Sequence, residues 1–302
     1  MNPTIAEVLK STISRLAGKT PSPQAEAEEL LGRLLALPRP QLYLGRERAL
    51  APADQARLET WIERRLAGEP VQYITGRAAF REHDLAVSPA VLIPRPETEW
   101  LVEAVFEVMR GERERWSTPR VLDLGTGSGA IALAIAAEWP AAVVTATDVS
   151  PAALAIAAAN AAALGLAERL RLLEGPWFDA IELDERFEVV VANPPYVADA
   201  EAELLPEDVR GHEPGQALFS GPTGLEALRE IVDQAPRHLV THGLLALELA
   251  EMRAAEVAAW LEGDRDWQSV ELRDDLTGRP RILLARRQQG PAIAPAQWNE
   301  ER

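Results

Sequence analysis

The sequence predicts an α/β domain built on a mostly parallel sheet and preceded by a small all-α domain. Three observations carry that expectation. Strand-like and helix-like segments alternate from residue 121 to 249, apolar residues recur at helical spacing through the first 70, and the two parts differ in charge. Residues 1–75 hold ten Lys and Arg against nine Asp and Glu, a balance of +1, so a whole-chain charge of −16 leaves −17 on the remainder. With 302 residues, 47 % of them apolar, the chain is long enough for two cores.

In the first part, Ile5, Val8, Leu9, Ile13 and Leu16 share a helical face, with Asn2-Pro3 or Thr4…Glu7 as starting signals. Ser22-Pro23 opens a second helix with the stripe Leu30, Leu31, Leu34 and Leu35, ended by Pro38 and Pro40. A third runs over 53–67, burying Leu58, Trp61, Ile62 and Leu66, with Gly68 as its C-cap. These stripes read as core. Residues 71–95 turn extended, and Tyr73, Ile74, Leu85, Val87, Val91, Leu92 and Ile93 suggest a hairpin-like connector.

A helix begins at Pro96. Strands over 121–124, 143–147, 170–173, 187–192 and 244–249 then alternate with helices from Ala130, from Pro151 and over 225–239, which places helices on both faces of the sheet. Two final runs, 269–273 and 281–285, flank 274–280 and finish the sheet as a hairpin, the sixth and seventh strands. The expected units are a helical domain over 1–70, the connector over 71–95, the α/β domain over 96–287, and a disordered tail over 288–302, rich in Pro, Ala, Gln and Glu.

Several classes are disfavoured. No uninterrupted apolar run approaches the roughly 20 residues of a membrane span, and Met1-Asn2-Pro3-Thr4-Ile5 lacks the basic start of a secretory leader. Cysteine is absent, which removes disulfides, thiolate metal sites and a Cys nucleophile, and agrees with a cytoplasmic protein. The acidic balance argues against a partner gripped through phosphates. His83, His212, His238 and His242 lack zinc-ligand spacing and read as surface residues, so no metal is expected.

Asn193-Pro194-Pro195-Tyr196 closes the fourth strand with groups suited to a planar NH2. An amide or exocyclic amine nitrogen shares its lone pair with the adjacent π system and attacks carbon poorly unless held and aligned. The Asn193 side-chain oxygen and a backbone carbonyl of the prolyl segment can each accept one N–H. Pro194 and Pro195 fix φ and remove two competing donors, and Tyr196 offers a flat face to the planar group. Asp123-Leu124-Gly125-Thr126-Gly127-Ser128-Gly129 follows the first strand and opens an Ala-rich helix, the setting for a nucleotide-bearing cofactor. Gly125-x-Gly127-x-x-Ala130 also satisfies a loose dinucleotide fingerprint. Asp148, ending the second strand, can accept from ribose hydroxyls, a need shared by NAD and S-adenosylmethionine, while Ser150 is the better N-cap for the helix at Pro151. Trp177 can stack on adenine or serve the core. Nothing after the fourth strand supplies a hydride pocket, whereas the tetrapeptide calls for an electrophile that a sulfonium methyl provides.

Set beside Ile93-Pro94-Arg95-Pro96-Glu97-Thr98-Glu99, these motifs make the chain resemble the HemK-type (PrmC) family of peptide-chain release-factor glutamine methyltransferases over nearly its whole length. Further matches are Gly68-Glu69-Pro70-Val71-Gln72-Tyr73-Ile74-Thr75-Gly76, Glu213-Pro214 before Ala217-Leu218, and Asp275-Leu276-Thr277-Gly278 with Arg281. The resemblance implies a Rossmann-like seven-stranded class I methyltransferase domain behind a helical domain that docks the substrate. The implied reaction is N5-methylation of the glutamine in the Gly-Gly-Gln motif of bacterial class I release factors by a monomeric enzyme. Gly125, Thr126, Gly127, Ser128, Gly129, Asp148, Trp177 and Asn193 would contact S-adenosyl-L-methionine. Asn193, Pro194, Pro195 and Tyr196 would hold the glutamine, with Arg95, Pro96 and Glu97 lining the same site. Apart from the resemblance, the loop over 197–223 is expected to order over the bound glutamine. Asn-Pro-Pro-Tyr also occurs in adenine methyltransferases, whose flipped base presents the same NH2. A ribosomal-protein glutamine is a nearer alternative, and a nucleotide-binding scaffold a third. The chain departs from the family pattern in two places: Glu248-Leu249-Ala250-Glu251-Met252-Arg253 stands for Glu-x-Gly-x-x-Gln, and Glu82 stands where Gly follows Phe80 by two.

Overall fold

A computed structural model describes residues 2–288. The helical domain comprises α1 (Ile5–Leu16), α2 (Pro23–Leu35), α3 (Arg39–Leu44), α4 (Pro52–Leu66) and α5 (Val71–Thr75). Thr4 and Glu7 form a capping box that satisfies the first N–H groups of α1. Pro38 does follow the end of α2, but Pro40 sits in the first turn of α3, where its missing N–H costs nothing, so the second proline starts a helix that the sequence reading lacked. Leu66, expected inside, is 37 % exposed.

Residues 71–75, expected to be extended, form α5. The Tyr73 and Ile74 N–H groups donate to Pro70 O (3.0 and 3.1 Å), and Val71 and Ile74 drop into the same core as Leu30, Leu31, Leu58 and Ile62. Burial at helical spacing overrides the β-branched and aromatic composition that reads as strand. The hairpin itself is present, as antiparallel β1 (Arg77–Phe80) and β2 (His83–Ala86).

The α/β domain follows as α6 (Pro96–Gly111), β3 (Arg120–Leu124), α7 (Ala130–Glu138), β4 (Val143–Asp148), α8 (Pro151–Ala163), β5 (Leu170–Glu174) and β6 (Phe187–Ala192). A 3-10 turn over Asp199–Leu204 leads to α9 (Glu207–His212), α10 (Gly215–Leu218), α11 (Glu226–His238), β7 (Leu239–Glu248), α12 (Glu251–Glu262), β8 (Trp267–Asp274) and β9 (Pro280–Arg287). The seven strands run in the order β5-β4-β3-β6-β7-β9-β8, and β9 alone runs antiparallel to the rest. Strand order reverses at β3, which opens a crevice beyond the carboxyl ends of β3 and β6.

Buried side chains of successive strand residues point to opposite faces. Val189, Val191, Leu244 and Ala246 face α6 and α7, whereas Val190, Ala192, Leu245 and Leu247 face α11 and α12. Being covered twice, β6 needs an unbroken apolar run, and Val189 to Ala192 are all fully buried. Helix α12, absent from the sequence reading, buries Ala254, Val257, Ala258 and Leu261 at helical spacing. His238, expected on the surface, is buried and stacks on Phe178 with ring centroids 4.9 Å apart. The expected tail over 288–302 lies, beyond Gln288, outside the described residues.

One buried side chain ties the connector to the domain. Asn160 on α8 accepts from Ala86 N (2.7 Å) and donates to Ala86 O (3.0 Å) and Ser128 O (2.9 Å). Truncation would leave three backbone groups unpaired, each worth ~1–3 kcal/mol when buried. Asn160→Ala is therefore expected to lower the unfolding free energy by about 2–4 kcal/mol, seen as a lower urea midpoint at unchanged slope.

Candidate active site

At the end of β3 the chain must turn sharply enough to leave its backbone open. Gly125, Gly127 and Gly129 all take positive φ, and the Gly125 and Thr126 N–H groups both donate to Thr147 O at 2.9 Å. A Cβ on Gly125 would come within 3.3 Å of the Trp177 ring, so the glycine also makes room for the indole. Beneath the turn, Asp123 is fully buried; its Oδ2 accepts from the Thr126 hydroxyl (2.6 Å) and Ala132 N (3.1 Å), while its Oδ1 has no partner. Burial pushes its carboxyl from the usual 3.8 up to about 7; the Thr126 and Ala132 bonds oppose this and Asp148 adds to it.

Asp148, at the end of β4, accepts from Gly127 N through Oδ2 (2.8 Å) and from Ser150 N through Oδ1 (2.9 Å). Each oxygen keeps a free lone pair. Ser150 caps α8 by accepting from Ala153 N, so the cap does not consume Asp148.

Asn193, the residue after β6, donates through Nδ2 to Thr98 Oγ1 (3.0 Å), and the Thr98 hydroxyl donates to Glu248 Oε2 (2.7 Å). Thr98 and Glu248 are both buried. Burial pushes Glu248 up to about 7, against the Thr98 bond. Arg95 pairs with Glu213 at the end of α9, and Ile93 N also donates to that carboxylate, which fastens residues 93–95 to the segment following the tetrapeptide. Burial raises the Glu213 carboxyl, and Arg95 opposes the shift.

A cavity of about 290 Å3 occupies the crevice. Its wall includes Gly125, Thr126, Gly127, Ser128, Asp148, Trp177, Asn193, Pro195 and Arg95 from the expected set. Five expected residues stand off the wall. Gly129 faces the other way, where a Cβ would meet Leu133 at 3.0 Å and Ala157 at 3.2 Å, so its small size serves the packing of α7 on α8. Pro96 and Glu97 are exposed in the first turn of α6. Pro194 is buried and stands off the wall, and Tyr196 packs against the core of the α11 face, where burial and then Glu248 push its hydroxyl up to about 12. The sequence reading missed Thr98 as a wall residue, along with Val91, Leu92, Gln216 and Ala217. Thr98 carried a signal, being a polar residue that shares the buried face of α6 with Leu101, Val102 and Val105. Segment 197–223 is folded into short helices and contributes Gln216 and Ala217.

A seven-stranded Rossmann-like sheet with a glycine turn, a strand-end carboxylate and an oriented amide around one crevice defines a methyltransferase domain. Residues 7–76 match the family described as the PrmC N-terminal domain, and residues 103–207 match the methyltransferase small domain. The release factor glutamine methyltransferase of Koribacter versatilis is 42 % identical over 285 residues, spanning 94 % of this chain and 99 % of its own. That of Moorella thermoacetica is 42 % identical over 287 residues, with coverages of 95 % and 99 %. Among solved structures, a methyltransferase from Pyrococcus furiosus shares the fold at 20 % identity and a TM-score of 0.51, over 79 % of this chain and all of that one. The hMettl16 catalytic domain does so at 15 % identity and 0.55, over 83 % and 87 %. The chain belongs to the release factor glutamine methyltransferase family, with which it is collinear through both domains.

Gly125→Ala forces a side chain into positive φ and against Trp177; cofactor affinity is expected to fall at least about 10-fold by calorimetry. A second expectation concerns pH. Because the Asp123 carboxyl binds its proton more tightly when folded, its stabilising contribution is full below the usual 3.8 and is lost as pH rises to about 7. Asp123→Asn keeps an oxygen for Thr126 and Ala132, and should flatten the fall of stability between those pH values in urea melts.

Proposed function

We propose that this protein transfers a methyl group from S-adenosylmethionine to the side-chain amide nitrogen of the glutamine in the Gly-Gly-Gln motif of bacterial class I release factors. The observation that carries this reading is the Asn193 amide: its nitrogen is anchored to Thr98 through one N–H, and its oxygen is the acceptor left for an N–H in the cavity.

The residues present fit the cofactor. Trp177 offers a flat apolar face, the free lone pairs of Asp148 suit ribose hydroxyls, and the turn from Gly125 to Ser128 lets backbone approach closely. Bound there, S-adenosylmethionine supplies a methyl already activated by its sulfonium, since the departing thioether is neutral. The protein's own work is placement. Asn193 Oδ1 accepts one amide N–H of the glutamine, and a backbone carbonyl of the prolyl segment, whose two prolines bring no competing N–H, accepts the other. Held this way, the nitrogen presents its lone pair along one line. The product amide cation is strongly acidic and loses its proton to water, so no dedicated base is needed. Tyr196, off the cavity wall, backs the tetrapeptide instead of stacking on the substrate, and its hydroxyl stays protonated at neutral pH.

The helical domain docks the release factor, and the Arg95–Glu213 pair keeps the family segment Ile93 to Glu99 beside the cavity mouth.

Transfer of labelled methyl to a recombinant release factor tests the reading. Label should enter the wild-type factor, fail to enter one with Gln→Asn in its Gly-Gly-Gln motif, and fail to enter DNA, RNA or ribosomal protein. Asn193→Ala should lower kcat by about 100-fold at saturating cofactor; near-normal turnover would sink the proposed grip.

A further inference from the structure

We propose that Glu248 and Thr98 are positioning residues forming a one-way hydrogen-bond chain that dictates which end of the Asn193 amide faces the cavity, and that only the ionised form of Glu248 sets the productive direction. The inference rests on the methylation of a glutamine amide put forward above.

A carboxamide presents its oxygen and its NH2 in nearly the same shape, so packing alone cannot choose between them. Direction must come from a partner whose own polarity is fixed. Thr98 has one hydroxyl proton and donates it to Glu248 Oε2 at 2.7 Å, which leaves only lone pairs for Asn193. The Asn193 Nδ2 donates to them at 3.0 Å, and Oδ1 is thereby turned to the cavity. An ionised carboxylate can only accept, so the chain runs one way from amide to hydroxyl to carboxylate.

Protonation of Glu248 removes that constraint. Its O–H can donate to Thr98, the Thr98 proton can then turn to Asn193 Oδ1, and the amide reverses to present NH2 to the cavity. Two NH2 groups would then face each other, and the substrate nitrogen loses an acceptor.

The surroundings allow both forms. Glu248 is 2 % exposed, and among the described residues it has no ion-pair partner. Glu97 at the start of α6 raises its proton affinity, while Arg281 on β9 and Arg95 lower it. Both arginines are engaged elsewhere, Arg281 with Asp275 at 3.5 Å and Arg95 with Glu213. Tyr196 is the remaining titratable group that feels Glu248, and it stays neutral. Burial dominates, and the carboxyl is pushed up to about 7. A hydrophobic residue would pack here at less cost than a buried carboxylate, and Gln could donate as readily as accept, so a directional role accounts for the acid.

The test combines rates with a probe that needs no substrate. For the wild-type enzyme, kcat at saturating cofactor and release factor should rise through a single limb near pH 7, while the nitrogen and proton shifts of the Asn193 side-chain amide titrate over the same range. Thr98→Val and Glu248→Gln should each lower kcat by about 10-fold or more and abolish both the limb and the amide titration, with cofactor binding retained as evidence of folding. Thr98→Ser, which keeps the hydroxyl, should recover both. A limb that persists in Glu248→Gln, or an Asn193 amide whose shifts are flat from pH 5.5 to 8.5, overturns the chain. A wild-type enzyme that methylates no release factor at any pH refutes the substrate reading instead, and the amide titration then still decides the chain.

Discussion

The in-register pairing of the parallel strands is the constraint on which the rest depends. Leu124 pairs with Thr147 on one side and Ala192 on the other, and Ala192 pairs with Leu247. The residues that follow these four partners are Gly125, Asp148, Asn193 and Glu248, so the turn, the strand-end carboxylate, the amide and the buried acid all emerge at one level of the sheet. No loop has to bring them together. A slip of one residue in any strand would also carry its apolar set to the opposite face, where it would meet the wrong helices. Hydrophobic packing on two faces therefore enforces the alignment of the polar edge.

That edge is costly to bury in a protein already carrying −16. Asp123, Asp148, Thr98 and Glu248 are all buried at or just below it. The structure offsets the cost with short local partners: backbone N–H groups from the glycine turn and α7 for the two aspartates, and a threonine hydroxyl for Glu248. The remaining penalty shows as the raised proton affinity of Asp123 and Glu248. The connector depends on the same economy, since Asn160 holds it at Ala86 and the Tyr73 hydroxyl, which donates to Val91 O at 2.6 Å, ties its two ends together.

Much of this was legible in the sequence because parallel strands buried on both faces leave unbroken apolar runs, and function sits at their ends. Asn193 is the first polar residue after such a run, and the glycine turn and Asp148 close the two strands beside it. What stayed hidden depended on distance or on competing preferences. Thr98 lies 95 residues from Asn193 and 150 from Glu248, so their convergence follows only from the fold. Val71 to Thr75 carries the β preference of Val, Tyr, Ile and Thr, and only the core that captures Val71 and Ile74 makes it helical. Pro194, Tyr196, Pro96 and Glu97 adjoin wall residues in the chain yet stand off the wall in space, because side chains of neighbouring residues leave the backbone in different directions. Arg253 replaces the family's Gln and finds Glu201 at 2.7 Å, a substitution whose partner no local pattern could supply.

Gly129 is both the last residue of the turn and the point where α7 meets Ala157 of α8. Helix and turn thus share a fulcrum with no slack on either side. A bulkier residue at Ala157 would act as a wedge, tilting α7 about Gly129 and displacing the backbone amides at its head, even though the residue itself lies well below the crevice. Defects in this seam would register first as weakened ligand binding and only later as instability, so screening by thermal tolerance alone would pass variants whose lever had already shifted.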